Sequence, residues 1–418
     1  MSLLTLIVMT AAVAAAAGEL EVVILHTNDV HSRFDQADVG GSSCSEREAA
    51  AGQCWGGYAR LATKVKEIRA TYSNVLLLDA GDQFQGTVWY TVHKWRVVDH
   101  FMNLLQYDVM ALGNHEFDDD IEGVVPFLHN NSFAVVSSNI DARHEPSMQG
   151  LFTSSTILSL TGNQKVGIVG YTTRDTPILA ATGNLIFQDV IESVQNEARR
   201  LIAEEGVNKI IALGHGGLAL DIEMAEKVEE IDVIVGGHTH TFLWTGTPPS
   251  VEIPAGPYPT IVKNSATNRD IPIVQAYTNG KYLGVLKVTF DDDGNVLVAD
   301  GEPIPLDSSV HQGFLRMKRG RRAALGPVYR VVLPTYVYNG GDGYSMFKDE
   351  ALSSIDIGVI DIDIIMNYMT KHQPISNGLD GRLTFSTDDP CANSSAPPLT
   401  TSLLLAICAC YCALASAL

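Results

Sequence analysis

The chain has 418 residues, with 48 acidic against 28 basic side chains and a formal net charge of −20. That length suits two domains and can bury a large core. The negative balance repels polyanions, which argues against a nucleic-acid polymer or a bare anionic membrane as the main ligand and leaves small anions held by a metal.

The chain opens on MSLLTLIVMTAAVAAAA, an apolar run closing in small residues. This is the pattern of a secretory signal over residues 1–17, cleaved near Ala17; it lacks a basic leading region, and a short membrane anchor is the competing reading. From residue 18 to residue 305, short β-branched runs alternate with helical stretches, as in an α/β domain. Polar residues fall where the runs end. VVILHTND leads to Asp29 and His31, NVLLLDAGDQ to Asp82, YDVMALGNHEFD to Asn114, His115 and Asp118, NKIIALGHGG to His215, and IDVIVGGHTH to His238 and His240. Five apolar strands are therefore predicted to carry Asp, Asn or His just past their C-terminal ends, the edge at which open α/β sheets bind ligands. Gly81, Gly113, Gly214, Gly236 and Gly237 fit tight turns that let the backbone swing those side chains inward.

These residue types select a chemistry. Imidazole and carboxylate suit zinc, carboxylate with amide oxygen also admits manganese, and a carboxylate can bridge two ions about 3.5–4 Å apart. Such a pair supports phosphate-ester hydrolysis, one ion activating a water and both neutralising phosphoryl oxygens. His26, His93, His100, His129, His144, His311 and His372 stand alone and read as satisfied polar residues rather than ligands. Asp291-Asp292-Asp293-Gly294 lacks the distant glutamate of a calcium loop and lies between KYLGVLKVTF and NVLVA, so a hairpin turn is predicted there.

Cys44 and Cys54 flank a polar, Gly-rich loop and could close a disulfide, whereas Cys391 has no obvious partner. Asn130, in Asn-Asn-Ser, is a glycosylation acceptor in an exported chain. The basic run from Arg316 to Arg322 reads as a solvated linker or helix face in preference to a nucleic-acid patch, with cleavage after Arg319 by a basic-site protease as a further expectation. Asn393-Ser394-Ser395, a polar and proline spacer and SLLLAICACYCALASAL make a GPI-attachment signal over residues 393–418, with a single membrane-spanning helix as the alternative. The mature protein is expected outside the cell, tethered to its surface.

TNDVHSR, LLLDAGDQFQGT, ALGNHEFD, IIALGHGG and VGGHTH resemble the metallophosphoesterase domain of 5′-nucleotidases, and KYLGVLK, NGGDGY and the GPI-like tail are most similar to the animal, GPI-anchored branch of that family. The resemblance implies an N-terminal four-layer metallophosphoesterase β-sandwich flanked by helices over residues 18–305. After an altered linker over 306–327 it implies a truncated C-terminal α/β 5′-nucleotidase domain, of which 328–392 are a remnant. It implies Asp29 and His31 on a first metal, Asp82 bridging, and Asn114, His215 and His238 on a second, with His240 beside the first. His115 would stabilise or protonate the departing oxygen, and Asp118 would orient its ring.

In the remnant, the resemblance implies Tyr336 as a base-stacking aromatic and Asp342 as a ribose-binding carboxylate. The family's Asn-Gly-Gly-Gly-Ile-Arg motif and its other stacking aromatic have no counterpart here. The implied activity is extracellular hydrolysis of nucleoside 5′-monophosphates, chiefly AMP, by water activated at two divalent ions, zinc foremost. Because turnover draws on binding energy from remote parts of the substrate, weakened nucleotide selectivity is expected. An apyrase acting on ATP and ADP, and a non-catalytic surface-tethered relative, are the alternatives. Family members dimerise through the C-terminal domain, so the implied homodimer would have to form on the remnant.

Overall fold

The computed structural model describes residues 19–312. The signal segment, the basic run, Tyr336, Asp342, His372, Cys391 and the C-terminal tail lie outside the described residues.

All five apolar runs form strands: Leu20–Thr27, Val75–Asp79, Val109–Ala111, Ile210–His215 and Val233–Val235. They divide between two sheets. In spatial order the seven-stranded sheet runs Val296–Gly301, Tyr282–Phe290, Leu20–Thr27, Val75–Asp79, Val109–Ala111 and Ala134–Val136, with Ile304–Pro305 also pairing with Tyr282–Phe290. The six-stranded sheet runs Thr260–Lys263, Asp270–Val274, Val233–Val235, Ile210–His215, Lys165–Thr172 and Ser155–Ser159.

Within each sheet the strands that lead to site residues are parallel. Thr27 stands opposite Asp79, Asp79 opposite Met110, and Val235 opposite Leu213. Parallel pairing aligns strand directions, so the C-terminal ends gather at a common edge.

Alternation along the first strand divides its apolar side chains between two cores. Val22 and Ile24 join Leu76, Leu78, Ile168, Ile211, Leu213 and Val235 between the sheets. Val23 and Leu25 face the other way, against Leu61, Val98, Phe101, Val124 and Phe127 from the helices Tyr58–Thr71, Trp95–Leu105 and Asp120–Asn130. The outer face of the second sheet packs Val169, Ala212 and Ile234 on Val194, Ala198, Leu201 and Met224 of the helices Val190–Glu205 and Leu218–Lys227. Helix, sheet, sheet and helix are the four layers. Strands buried on both faces explain why the runs read as continuously apolar rather than alternating.

Three smaller expectations also have structural outcomes. Tyr282–Phe290 and Val296–Gly301 pair antiparallel across Asp291–Asn295, where the Asn295 amide donates to the Asp291 carboxylate at 2.7 Å and Gly294 has a φ of 91°. Cys44 and Cys54 are disulfide-bonded. His26 is buried against the Tyr258 hydroxyl, 2.8 Å from its Nε2, and burial pushes its imidazole down to about 3, so it is a neutral core residue.

At Gly170 the second sheet lies directly against the end of the first sheet's strand Ala134–Val136. A Cβ there would lie 2.3 Å from the Val136 carbonyl carbon and 2.6 Å from the Ser137 nitrogen. Gly170→Ala should therefore lower the unfolding free energy by about 1–3 kcal/mol through overpacking, read as a shift of the urea midpoint; an unchanged midpoint would contradict this account of the sheet contact.

Candidate metal centre

Where the strands end, the backbone leaves the common conformations. Asp29, His31, Asp82, His238 and His240 all have positive φ, from 49° to 80°. Each such residue costs on the order of 1–3 kcal/mol unless its surroundings hold it. Here the turns hold each other: Asp29 N–H donates to Gly81 O at 2.9 Å, His31 N–H to Asp82 O at 3.0 Å and Ser32 N–H to Gln83 O at 2.9 Å. These bonds continue the pairing of the first two strands beyond their ends, and they fix the two turns in register.

The Asp29 carboxylate is divided in use. Its Oδ2 accepts from Asn28 Nδ2 at 2.6 Å and from the His238 amide at 3.0 Å, while its Oδ1 is buried with no hydrogen-bond partner. Asn28 is locked in turn, donating to Tyr277 O at 2.6 Å and accepting from the Ala276 amide at 2.7 Å. Facing the free oxygen, His240 Nε2 stands at 3.2 Å and His215 Nε2 at 3.8 Å. His31 Nε2 and His240 Nε2 approach each other at 3.2 Å, which places three donor atoms around one space.

Asp82 is central to the other half. Its Oδ1 accepts from the His115 amide at 2.9 Å, and its Oδ2 lies 2.9 Å from His215 Nε2 as a close charge approach rather than a directed hydrogen bond. The other ring nitrogen of His215 is 2.7 Å from Ala80 O, an arrangement that turns Nε2 toward the carboxylates. His238 stacks edge-on against the His215 ring, with centroids 5.0 Å apart. Asn114 Oδ1, like Asp29 Oδ1 and His215 Nε2, is buried without a hydrogen-bond partner. Orphan atoms of this kind cost about 1–3 kcal/mol each, so three of them where the two sheets' strand ends meet point to cations as their partners.

The electrostatics agree. Burial alone would raise the Asp82 carboxyl, but His215, His31 and His115 hold it well below the usual carboxylate range. Burial opposes protonation of His215, yet Asp82 and Asp29 push it up to about 10. His31 and His238 are lowered by burial first, which favours the neutral imidazole a metal requires.

Three donor groups result: Asp29, His31 and His240; His31, Asp82 and His115; and Asp82, His215 and His238, with the candidate atoms of each group within 4.8 Å of one another. Shared Asp82 and all-nitrogen-and-oxygen donors fit a pair of divalent ions of the zinc or manganese kind. His115 is placed differently from the other histidines. Its Nδ1 is 2.6 Å from Asp118 Oδ2, and this bond, more than any other influence, pushes its imidazole up to about 9, while the side chain keeps 38% exposure. A half-open, protonated imidazole fixed by a carboxylate can donate a proton to an entering group.

Every site residue expected between Asp29 and His240 thus lies at this edge; His215 closes its strand rather than following it. The sequence reading missed residues that touch no cation space. Asp221 accepts from Tyr171 Oη at 2.7 Å and from Gln275 Nε2 at 2.9 Å, and Gln275 Oε1 takes the Thr241 amide at 3.2 Å. Together they brace the turn that carries His238 and His240. Nothing in the local pattern of LALDIEMAEK marks Asp221, because its partners are far away in sequence, Tyr171 on the strand Lys165–Thr172 and Gln275 just past the strand Asp270–Val274.

A sandwich of two mixed sheets with a paired-cation donor set at one edge defines a metallophosphoesterase domain. The model of the calcineurin-like phosphoesterase family matches residues 22–242, and the chain belongs to that family. It is similar to the 5′-nucleotidase of Rattus norvegicus, 53% identical over 296 residues covering 70% of this chain and 50% of the relative. It is likewise similar to the 5′-nucleotidase of Homo sapiens, 52% identical over 299 residues covering 71% and 51%. Among solved structures, a 5′-nucleotidase precursor from Thermus thermophilus superposes with a TM-score of 0.64 at 39% identity, covering 70% of this chain and 55% of that one. The chain spans about half the length of the curated relatives it matches.

Because Asp82 belongs to two of the three donor groups, Asp82→Ala should reduce zinc retained after gel filtration from about two ions per chain to about one or none. Elemental analysis of the purified protein reads this directly, and full retention would remove Asp82 from the centre.

Proposed function

We propose that the chain hydrolyses nucleoside 5′-monophosphates, chiefly AMP, to the nucleoside and phosphate at the outer cell surface. The observation that carries this reading is the convergence of orphaned carboxylate, amide and imidazole atoms beside the His115–Asp118 pair. Asp29, His31, Asp82, Asn114, His215 and His238 would hold two divalent ions, zinc foremost for this nitrogen-rich set, with His240 beside the first. When bound, such ions supply an activated water and neutralise charge on the phosphoryl oxygens.

The chain's own residues do the rest. Asp29 and Asp82 give the site its negative charge, and the hydrogen bonds of Asn28 and His115 N–H hold those carboxylates in place before substrate arrives. His115, protonated beside Asp118, donates to the ester oxygen as the phosphorus–oxygen bond breaks, so the nucleoside leaves as an alcohol. Proton transfer of this type contributes roughly 10²–10⁴-fold. The names of the rat and human relatives support a nucleotide substrate. The Cys44–Cys54 bond supports an oxidising, extracytoplasmic setting, with the signal-like start and GPI-like tail supporting surface tethering. Base and ribose selection would rest on Tyr336 and Asp342, half of the family's clamp, so selectivity for AMP over a generic ester should be weak.

The test is phosphate release from AMP, ADP and p-nitrophenyl phosphate by the zinc-loaded chain, with His115→Ala beside it. AMP turnover above the generic ester, reduced about 10²–10⁴-fold by the substitution and abolished by a chelator, is the expected result. Preference for ADP, or no phosphate release from a chain that binds zinc, would contradict the proposal.

A further inference from the structure

Beneath Asp82 lies a carboxylate that the chemistry above leaves without a role. Glu116 is fully buried in the turn His115–Phe117. Its partners are four main-chain amides: Oε2 accepts from Asp82 at 2.9 Å and Gly113 at 2.7 Å, and Oε1 accepts from Gln83 at 2.8 Å and Phe84 at 3.1 Å. Three of these amides are consecutive in the turn after the second strand. The fourth belongs to the turn after the third. Successive amides pointing at one centre form a nest for an anion, and here the protein fills the nest with its own side chain.

A second buried carboxylate completes the pattern. Asp79 accepts from the Gly81 amide at 3.0 Å, from Gln83 Nε2 at 2.6 Å and from Thr27 Oγ1 at 2.6 Å. Every amide from Gly81 to Phe84 therefore donates to Asp79 or Glu116. Between those amides sits Asp82, with its left-handed φ of 58°, its carbonyl taking the His31 amide and its Oδ1 taking the His115 amide. The two turns are pressed together so closely that a Cβ on Gly113 would lie 2.3 Å from Asp82 Oδ1 and 2.9 Å from Glu116 Oε2.

We infer that Glu116 is the positioning residue of this centre: by binding the amides of both turns it holds Asp82, Asn114 and His115 in the arrangement that receives cations, and so sets the site's affinity for them. The inference rests on the functional reading above for the identity of the cations' task, but not for its test. A strained main chain relaxes unless held, and charge-assisted N–H to carboxylate bonds are about twice as strong as neutral ones. Glu116 supplies four of them at the point where both turns meet. Glutamine in its place offers one acceptor oxygen and turns an NH2 group toward two N–H donors; aspartate is one methylene too short to reach both turns.

The experiment uses the full chain and zinc alone, with affinity read by competition against a chromogenic chelator. E116Q should bind zinc about 10–100-fold more weakly while keeping the far-UV spectrum of the unsubstituted protein, and E116D should fall between the two. Affinity in E116Q equal to that of the unsubstituted chain overturns the inference, whatever the activity toward AMP. A chain that binds zinc tightly yet releases no phosphate contradicts the functional reading instead. Should E116Q not fold, hydrogen exchange of the unsubstituted, metal-free chain decides: protection of the peptide spanning Asp82 to Phe84 supports Glu116 as its holder, and exchange at loop rates means that the cations, not Glu116, order the turn.

Discussion

The parallel pairing of Leu20–Thr27 with Val75–Asp79, Thr27 opposite Asp79, is the constraint on which the rest depends. It delivers two chain ends side by side and pointing the same way. Only then can the Asp29, His31 and Ser32 amides bond to Gly81, Asp82 and Gln83, and those bonds help to keep two aspartates and a histidine in left-handed backbone. A slip of one residue would turn every side chain of the first strand to the opposite face and exchange its two cores. Register and core composition are thus two views of one choice.

The second sheet adds imidazoles to a site that the first sheet begins with carboxylates. Its Ile210–His215 and Val233–Val235 strands bring His215 and His238 against Asp29 and Asp82. Gathering acids and bases in a buried space is unfavourable without a cation, and the fold accepts three unpartnered polar atoms there. Buried braces on each side offset part of that strain: Asp79 and Glu116 under the first sheet's turns, Asp221 and Gln275 under the second's. The site is a place where local preference yields to tertiary structure, which is where functional sites are expected.

Much of this was legible in the sequence, for reasons particular to certain residues. An apolar run that stops shortly before Asp29 or His238 announces both a strand and where it ends. The division of five runs between two sheets is not local information, since Ile24 and Leu213 become neighbours only when the sandwich closes. Glu116 sat in plain view in GNHEFD, but its partners are backbone amides, which leave no mark on the residue pattern. Asp221 is hidden for a related reason: Gln275, its partner, is 54 residues away, just past the end of the strand Asp270–Val274. The His115–Asp118 pair came with the family resemblance rather than from spacing alone; in the structure the tight turn between them brings the two side chains to 2.6 Å.

The central claim is that the five strand ends build one two-cation centre with Asp82 between its halves. Anomalous diffraction at the zinc edge from crystals of the zinc-loaded chain tests it most directly. Two peaks about 3.5–4 Å apart, with Asp82 between them, Asp29 and His31 on one side and Asn114, His215 and His238 on the other, are the predicted result. A single peak, or zinc bound elsewhere on the described domain, would contradict it.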